Sequence, residues 1–366
     1  MRMQGTLVLV NALAAGTAFA QTSVVQSPTV GDSVTLFGVA DVAVAYGTGS
    51  IASKTQLVSG ANTSSRLGFR GVEDLGGGLN AGFWLEAGVN YDTGTGSASN
   101  INNQPGGATT GDGISFNRRS TVSLIDVWGE LRLGRDFTAT YRNRDQTDPF
   151  TTNGAGASQP YVGSIAGTTA TRASNMIGYF LPASLGGFFG EVQYFIGENT
   201  SNTPTSQNGD GYALRIGYAT GPFGVAVSTG KTRYAQTSPT TGDIPVVNVG
   251  AFYDFQVVKI TAGYFRDKVE QVVPLTGTGY IVGGVIPIGL DQLKLSYSEY
   301  GTDDIGDPKA RKFAIGYVYN FSKRTAAYAT FATLSNRGGS AYALNGSLTA
   351  PNRNSHGYDL GLKHSF

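Results

Sequence analysis

Apolar and polar residues alternate along this chain with a period of two, in short runs closed by Gly, Asn, Asp, Ser and Pro, the pattern of half-buried β-strands. In NTSSRLGFRGVEDLGGGLNAGFWLEAG, which begins at Asn62, Leu67 and Phe69 share one side of a strand while Arg66 and Arg70 share the other. After the turn EDLGGG, Phe83, Leu85 and Ala87 stand opposite Trp84 and Glu86. The chain ends in HGYDLGLKHSF, where Tyr358, Leu360, Leu362, His364 and Phe366 fall on one face and Asp359, Gly361, Lys363 and Ser365 on the other. No amphipathic helical period interrupts these runs, and past the N-terminal segment no stretch reaches ~18 unbroken apolar residues. The expected fold class is all-β.

Short turns and long loops alternate between the runs. The short ones include EDLGGG at Glu73, SLGG at Ser184, TGPFG at Thr220, IPIGLDQ at Ile286 and NFSKRT at Asn320; the long ones start at Thr93, Gly197 and Ser335. About sixteen strands are predicted, an even number with one rim of turns and one of loops, as in an outer-membrane barrel. With no helices to cover them, so many one-sided apolar strands would aggregate in water unless they closed into a barrel facing lipid. Leu67 and Phe69 are then expected against lipid, and Arg66 and Arg70 in the lumen. Tyr46, Tyr91, Tyr194, Tyr218, Tyr264, Tyr297 and Tyr317 are candidates for interfacial girdles.

Composition narrows the function classes. Net charge is +1 and no basic run is interleaved with aromatics, so no nucleic-acid partner is expected. Cysteine is absent, which excludes disulfides and thiolate metal sites. After Arg2 an apolar stretch ends in Ala18-Phe19-Ala20, the pattern of a cleavable secretory signal peptide over residues 1–20, leaving 21–366 as one barrel domain.

The stretches SVTLFGVADVAVAY, SSRLGFRGVEDLGGGLNAGFWLE, FNRRSTVSL with GELRLGRD, TRASNMIGYFLP, LGGFFGEVQY, GYVYNFSKRTAAYA and the ending GLKHSF together resemble the general porins of Gram-negative outer membranes, most closely the beta-proteobacterial anion-selective type. The resemblance implies a sixteen-stranded transmembrane antiparallel β-barrel with short periplasmic turns, long extracellular loops and a third loop folded into the lumen. It also implies a homotrimer. In its terms Arg66, Arg119 and Arg172 belong to an arginine cluster at the pore constriction, with Asp145 and Asp148 of the third loop as an acidic wall opposite. The terminal strand, with Tyr358, Leu360, Leu362 and Phe366, is the expected barrel-assembly strand.

Strand parity can be set beside that resemblance. In RRSTVSL, Val122 and Leu124 take the lipid side, so Arg119, Thr121 and Ser123 point inward and Arg118 lies nearer the rim or outside. In TRASNMIGYF, Ile177 and Tyr179 face lipid, which puts Arg172 and Ser174 inside together with Met176 and Phe180, an imperfect pattern. Arg70 and Arg132 share lumenal parity, and Glu86 and Glu130 are carboxylates with which they could pair. Between Arg135 and Arg172 lies the longest stretch without alternation, which by resemblance is the constriction loop; Arg142 and Arg144 lie in it beside the two aspartates, and Asp148-Pro149 equally suits turn chemistry.

Asp303, Asp304 and Asp307 group in TDDIGDP without the spacing of a calcium loop, and a solvated extracellular loop is the expectation. His356 and His364 share one strand face at a separation of ~27 Å, with no serine motif to make a hydrolase. The expected function is a water-filled channel for passive diffusion of small hydrophilic solutes, with a preference for anions and without catalysis or cofactor. Outer-membrane lipid and lipopolysaccharide are the expected surroundings. A solute-specific channel for an organic acid or phosphate, a barrel enzyme and a secreted β-sandwich lectin are the alternatives.

Overall fold

The structure, a computed structural model, describes residues 33–109 and 113–366, so the expected signal segment lies outside the described residues. The first strands are β1 (Ser33–Thr48), β2 (Lys54–Ser59), β3 (Arg66–Gly76), β4 (Leu79–Asn90), β5 (Thr95–Gly96), β6 (Arg119–Asp126) and β7 (Gly129–Phe137). Helices α1 (Ala139–Thr147) and α2 (Gln159–Val162) follow, then β8 (Arg172–Phe180), β9 (Phe188–Phe195), β10 (Gly211–Thr220), β11 (Phe223–Thr232) and β12 (Ile244–Asp254). The chain ends with β13 (Lys259–Val269), β14 (Leu275–Ile288), β15 (Asp291–Thr302), β16 (Lys309–Asn320), β17 (Thr325–Arg337) and β18 (Ser355–Ser365).

Sixteen of these strands form a closed antiparallel barrel, each bonded to its neighbour in chain order, with β18 returning to β1. The other two, β2 and β5, belong to loops: β2 lies against the upper half of β1, and β5 pairs with the end of β4. The last residue completes the seam, because Phe366 and Gly38 exchange both backbone hydrogen bonds at 3.1 Å. Closure leaves no backbone edge unpaired, the condition for strands to stand in hydrocarbon.

Burial is inverted relative to a water-soluble domain. Val34, Leu36, Phe69, Phe83, Val122, Leu133, Ile177, Leu360 and Leu362 are exposed on the outer wall, whereas Asp41, Arg132, Arg215, Lys312 and Asp359 are buried inside. The alternation that predicted strands therefore separates lipid from lumen. Tyr358, Leu360, Leu362 and Phe366 are all exposed on the outer side of the closing strand, as their period requires. Two-residue turns at 221–222 and 289–290 carry Gly221 and Gly289 with φ of 51° and 63°, a conformation that favours glycine.

The third long loop, residues 138–171, folds into the lumen instead of over the rim. Thr138 caps α1 by accepting from the Tyr141 amide, and the helix lies against the inner wall from β9 to β14. Glycines on that wall make room for it: a Cβ added at Gly283 would stand 2.4 Å from Pro149 Cγ, and one at Gly316 2.7 Å from Phe150. Polar contacts fix the seat. Asn143 Nδ2 donates to Asn248 Oδ1 at 2.7 Å, Arg144 pairs with Asp267 at 3.1 Å, and Thr261 Oγ1 donates to the Thr147 carbonyl at 2.7 Å. The far end continues along the wall to β16 and β18, where Lys312 Nζ donates to the Ala157 carbonyl at 2.6 Å and Asp359 accepts from the Ala155 amide at 2.8 Å. Phe150 and Ala155 pack there against Ala310, Ala314, Ala332 and Leu334.

Between β7 and β8 the register shifts, with Asn175 at φ 56° and Gly134 at φ 122° forming a bulge. Simple alternation cannot be carried across it. Met176 and Phe180 do face inward, but so does Ala173, which packs on Ala139 of α1 and on Met176. Ser174, placed inside by parity alone, is instead tied to the second long loop, exchanging backbone bonds with the Asn103 side chain and accepting from Arg135.

Candidate functional site

The tip of the third loop, the end of β4, the start of β8 and the segments that lead into β3 and β6 enclose a polar gap of about 340 Å³, lined among others by Ser64, Asn117, Arg118, Thr152, Asn153 and Arg172. Arg66 begins β3, and its Nε lies 3.9 Å from Glu86 Oε1 on β4. Arg118 reaches the same oxygen at 2.6 Å from the residue before β6. The expectation that Arg118 lies at the rim or outside is corrected: it precedes the strand, where alternation does not govern side-chain direction, and Glu86 draws it into the lumen. Arg172 comes from the start of β8, its guanidinium packed 4.2 Å from the Phe137 ring centroid and its Nε donating to the Arg118 carbonyl at 2.9 Å. Among the described residues it has no carboxylate within ion-pair distance. Arg118 and Arg172 thus line this gap, and Arg118 shares the carboxylate of Glu86 with Arg66 beside it.

Arg119 sits deeper. It stacks 4.5 Å over Trp84, donates to Thr121 at 3.0 Å, and stands 3.8 Å from Asp136 and 4.0 Å from Glu130. Arg70 covers the same indole at 5.1 Å and has no carboxylate partner among the described residues. The indole Nε1 donates to Glu86, so Trp84 links both levels of the wall. Arg132 is buried and fully engaged, with Glu130 at 2.8 Å and Asp136 at 2.5 Å, and its guanidinium covers Phe180 at 3.9 Å. It holds the wall together. Phe180, the inward aromatic that made the sequence pattern imperfect, is the stacking face for that cation.

From the loop side, Arg142 of α1 bonds Asp136 at 2.7 Å and Glu191 at 3.2 Å, clamping the helix to β7 and β9. Arg142 is named in the sequence as a loop cation, but its partners Asp136 and Glu191 are not; the pairing with Glu191 joins the loop to a strand 49 positions further along the chain. Asp145, half-buried, faces the arginines without an ion pair and is held by Thr152 Oγ1 at 3.3 Å and the Tyr141 hydroxyl at 3.5 Å. Burial within the packed loop, reinforced by the charge of Asp148, pushes its carboxyl up to about 6. Asp148 does not line the gap. It is buried, accepting from the amides of Phe150 at 2.9 Å and Ser158 at 2.8 Å, so turn chemistry is its role.

The sites set aside in the sequence behave plainly. Asp303 accepts from the Thr276 amide and Asp304 from the Ile305 amide, each capping backbone. His356 stacks on Phe331 with ring centroids 6.3 Å apart, and His364 shares a hydrogen bond with Thr325 at 2.9 Å.

A charged gap in a closed barrel, bounded by a loop fixed across the lumen, is the geometry of a selective water-filled channel. The family model for Gram-negative porins matches residues 5–339. Over the full length of both chains, the sequence is 34% identical to outer membrane porin protein 32 of Delftia acidovorans. It is 29% identical to an outer membrane porin of Bordetella pertussis, covering 81% of this chain and 87% of that one. The fold matches the anion-selective porin from Comamonas acidovorans with a TM-score of 0.81 and 32% identity, covering 92% of this chain and 100% of that chain. The chain therefore belongs to the Gram-negative porin family, and its barrel is an outer-membrane channel for passive diffusion of small hydrophilic solutes.

Proposed function

We propose that the channel prefers anions, small organic acids among them, and that Arg66, Arg118 and Arg172 set that preference, with Arg119 and Arg70 continuing the basic wall below. The observation that carries this reading is the imbalance beside the gap: Arg66 and Arg118 share the single carboxylate of Glu86, and Arg172 has none of its own among the described residues. Between low-dielectric walls such a surplus attracts anions and raises the barrier to cations. Asp145 opposes it from the loop and gives the gap a transverse field. The anion-selective character of the Comamonas acidovorans porin agrees with this reading. No catalytic step or cofactor belongs to it.

The reading includes a homotrimer, lipopolysaccharide as a neighbour of the outer wall, a cleaved segment 1–20, and barrel assembly directed by the terminal strand with Tyr358, Leu360, Leu362 and Phe366. The test of selectivity is the reversal potential of the purified protein in a planar bilayer across a KCl gradient. Each tenfold step corresponds to about 59 mV for an ideally selective pore. Displacement toward the chloride limit is expected, and displacement toward the potassium limit would overturn the reading.

A second reading, a channel with a saturable track for one carboxylate or phosphate, has one observation in its favour: the guanidinium–indole–guanidinium stack of Arg70, Trp84 and Arg119 continues the basic wall below the gap. Conductance that saturates with that solute would distinguish it.

A further inference from the structure

Behind the third loop, between α1, the return segment before β8 and the wall of β9–β12, lies a cavity of about 10 Å³. That is room for a single occupant about the size of a water. Small residues keep it open: Ala166 and Ala170 on the return segment, Ala213 and Gly230 on the wall. Its lining holds two cations, Arg144 and Lys231, and no carboxylate among the described residues.

The hydrogen-bond accounting there leaves donors over. Lys231 engages its ammonium with Asp243 at 2.7 Å and Glu270 at 3.3 Å, neither of which lines the cavity. Arg144 is different. It is only 2% exposed, Nη2 meets Asp267 at 3.1 Å, and Nε and Nη1 have no hydrogen-bond partner among the described residues. Thr140 donates to Thr138 at 3.3 Å, and Thr138 to the Thr169 carbonyl at 3.3 Å. Thr169 and Thr232 share a single hydrogen bond between their hydroxyls at 2.6 Å, so whichever donates, the other keeps its hydrogen. Arg144 Nε, Arg144 Nη1 and one threonine hydroxyl are thus donors without an acceptor among the described residues, a costly arrangement for buried groups.

Donors that converge without an acceptor suit an anion. Thr140 also lies in the first turn of α1, where the helix dipole is positive, and Arg144 follows it one turn later on the same face. Size then selects among anions. Carboxylates, sulfate and phosphate have several heavy atoms each and exceed a space for one water, whereas chloride is a single atom. A water would bring two hydrogens of its own, and the side chains of Phe195, Ile244 and Val246, which line the rest of the cavity, offer them no acceptor.

We propose that this cavity is a halide site, in which chloride accepts from Arg144 Nε and Nη1 and from the free hydroxyl of the Thr169–Thr232 pair. The ion then ties α1 to the return segment and to β11, so the seat of the third loop depends on chloride. The site lies behind the loop, apart from the gap that passing solutes meet, and is independent of the selectivity reading.

The test joins bromide diffraction to thermal unfolding. Crystals of the native protein grown in bromide should give an anomalous difference peak in the cavity, between Arg144 and Thr232. In detergent at constant ionic strength, replacing gluconate by chloride should raise the thermal midpoint, by about 5 °C once chloride exceeds its dissociation constant about 100-fold. Sulfate should give no such rise. Arg144→Lys keeps a cation beside Asp267 but lacks the two free donors, and should lose both the peak and the rise. The double variant Thr169→Val, Thr232→Val removes the hydroxyls with little change of shape and should need about tenfold more chloride for the same rise. If Arg144→Lys fails to assemble, the threonine variant carries the test. A native crystal without the bromide peak would overturn the proposal, as would a midpoint that rises equally in sulfate or a chloride response unchanged in the assembled variants. Arg172→Gln separates the two readings: it should alter the reversal potential and leave the chloride response of the midpoint intact. A response lost with Arg172 would put the stabilising ion at the gap and overturn the halide site.

Discussion

Arg172→Gln isolates the field of one unpaired guanidinium. Because no carboxylate among the described residues lies within ion-pair distance of Arg172, its neutralisation orphans no buried acid, and the barrel should assemble normally. Glutamine can still donate toward the Arg118 carbonyl, which Arg172 now reaches at 2.9 Å. A unit charge about 5 Å from a passing ion in water-like surroundings contributes about 0.8 kcal/mol. Screening over the ~10 Å Debye length of 0.1 M salt trims this to about 0.5 kcal/mol. The sign reverses between chloride and potassium, so the preference between them changes by about 1 kcal/mol, roughly fivefold. In 1 M salt, with a Debye length of ~3 Å, less than about twofold should survive. Reversal potentials at both ionic strengths measure this directly. An assembled Arg172→Gln channel whose potential in 0.1 M salt equals that of the native protein would refute the argument, and so would an effect that persisted undiminished at 1 M.

Asp145, with its carboxyl pushed up to about 6, opposes the arginines when ionised, so anion preference should rise as pH falls through about 6. Asp145→Asn should remove that step and give, at pH 8, the preference native protein shows at pH 5; a step that survives in the variant would exclude Asp145 as its source. Arg144→Met removes one partner of the buried pair with Asp267, a loss of about 3–5 kcal/mol, and should lower the thermal midpoint and increase single-channel noise as the third loop loosens. Gly283→Val places a side chain where Pro149 now lies 2.4 Å from the Cβ position, so the loop should move inward and single-channel conductance should fall. Gly284→Val, whose nearest neighbour would be 3.5 Å away on the lipid side, should leave conductance unchanged.

Much of the wall was legible in the sequence because a strand's two faces are a local property. Leu67 with Phe69 and Arg66 with Arg70 part company at every step of the backbone, whatever the rest of the chain does. The same holds for Tyr358, Leu360 and Leu362 on the closing strand, and for turns such as the one at Gly221, whose positive φ favours glycine. Where a bulge intervened, as at Asn175, the local rule failed, and Ala173 and Ser174 took directions that alternation had reversed.

The sequence by itself determined the class of fold, the lipid and lumenal faces, the rims of turns and loops, and the wall on which basic residues gather. Tertiary structure alone decided which charges remain free to act on a solute. Arg118 and Arg66 share Glu86, Arg132 is consumed by Glu130 and Asp136, and Asp148 is spent on backbone amides, while Arg172 keeps its charge without a carboxylate partner among the described residues. The pairs with Glu86 join residues 20 and 32 positions apart, and even the local pairs of Arg132 and Asp148 depend on side-chain directions that strand alternation does not specify. Neutralisation depends on distances of a few ångströms between them, whereas strand alternation depends only on the neighbour in sequence.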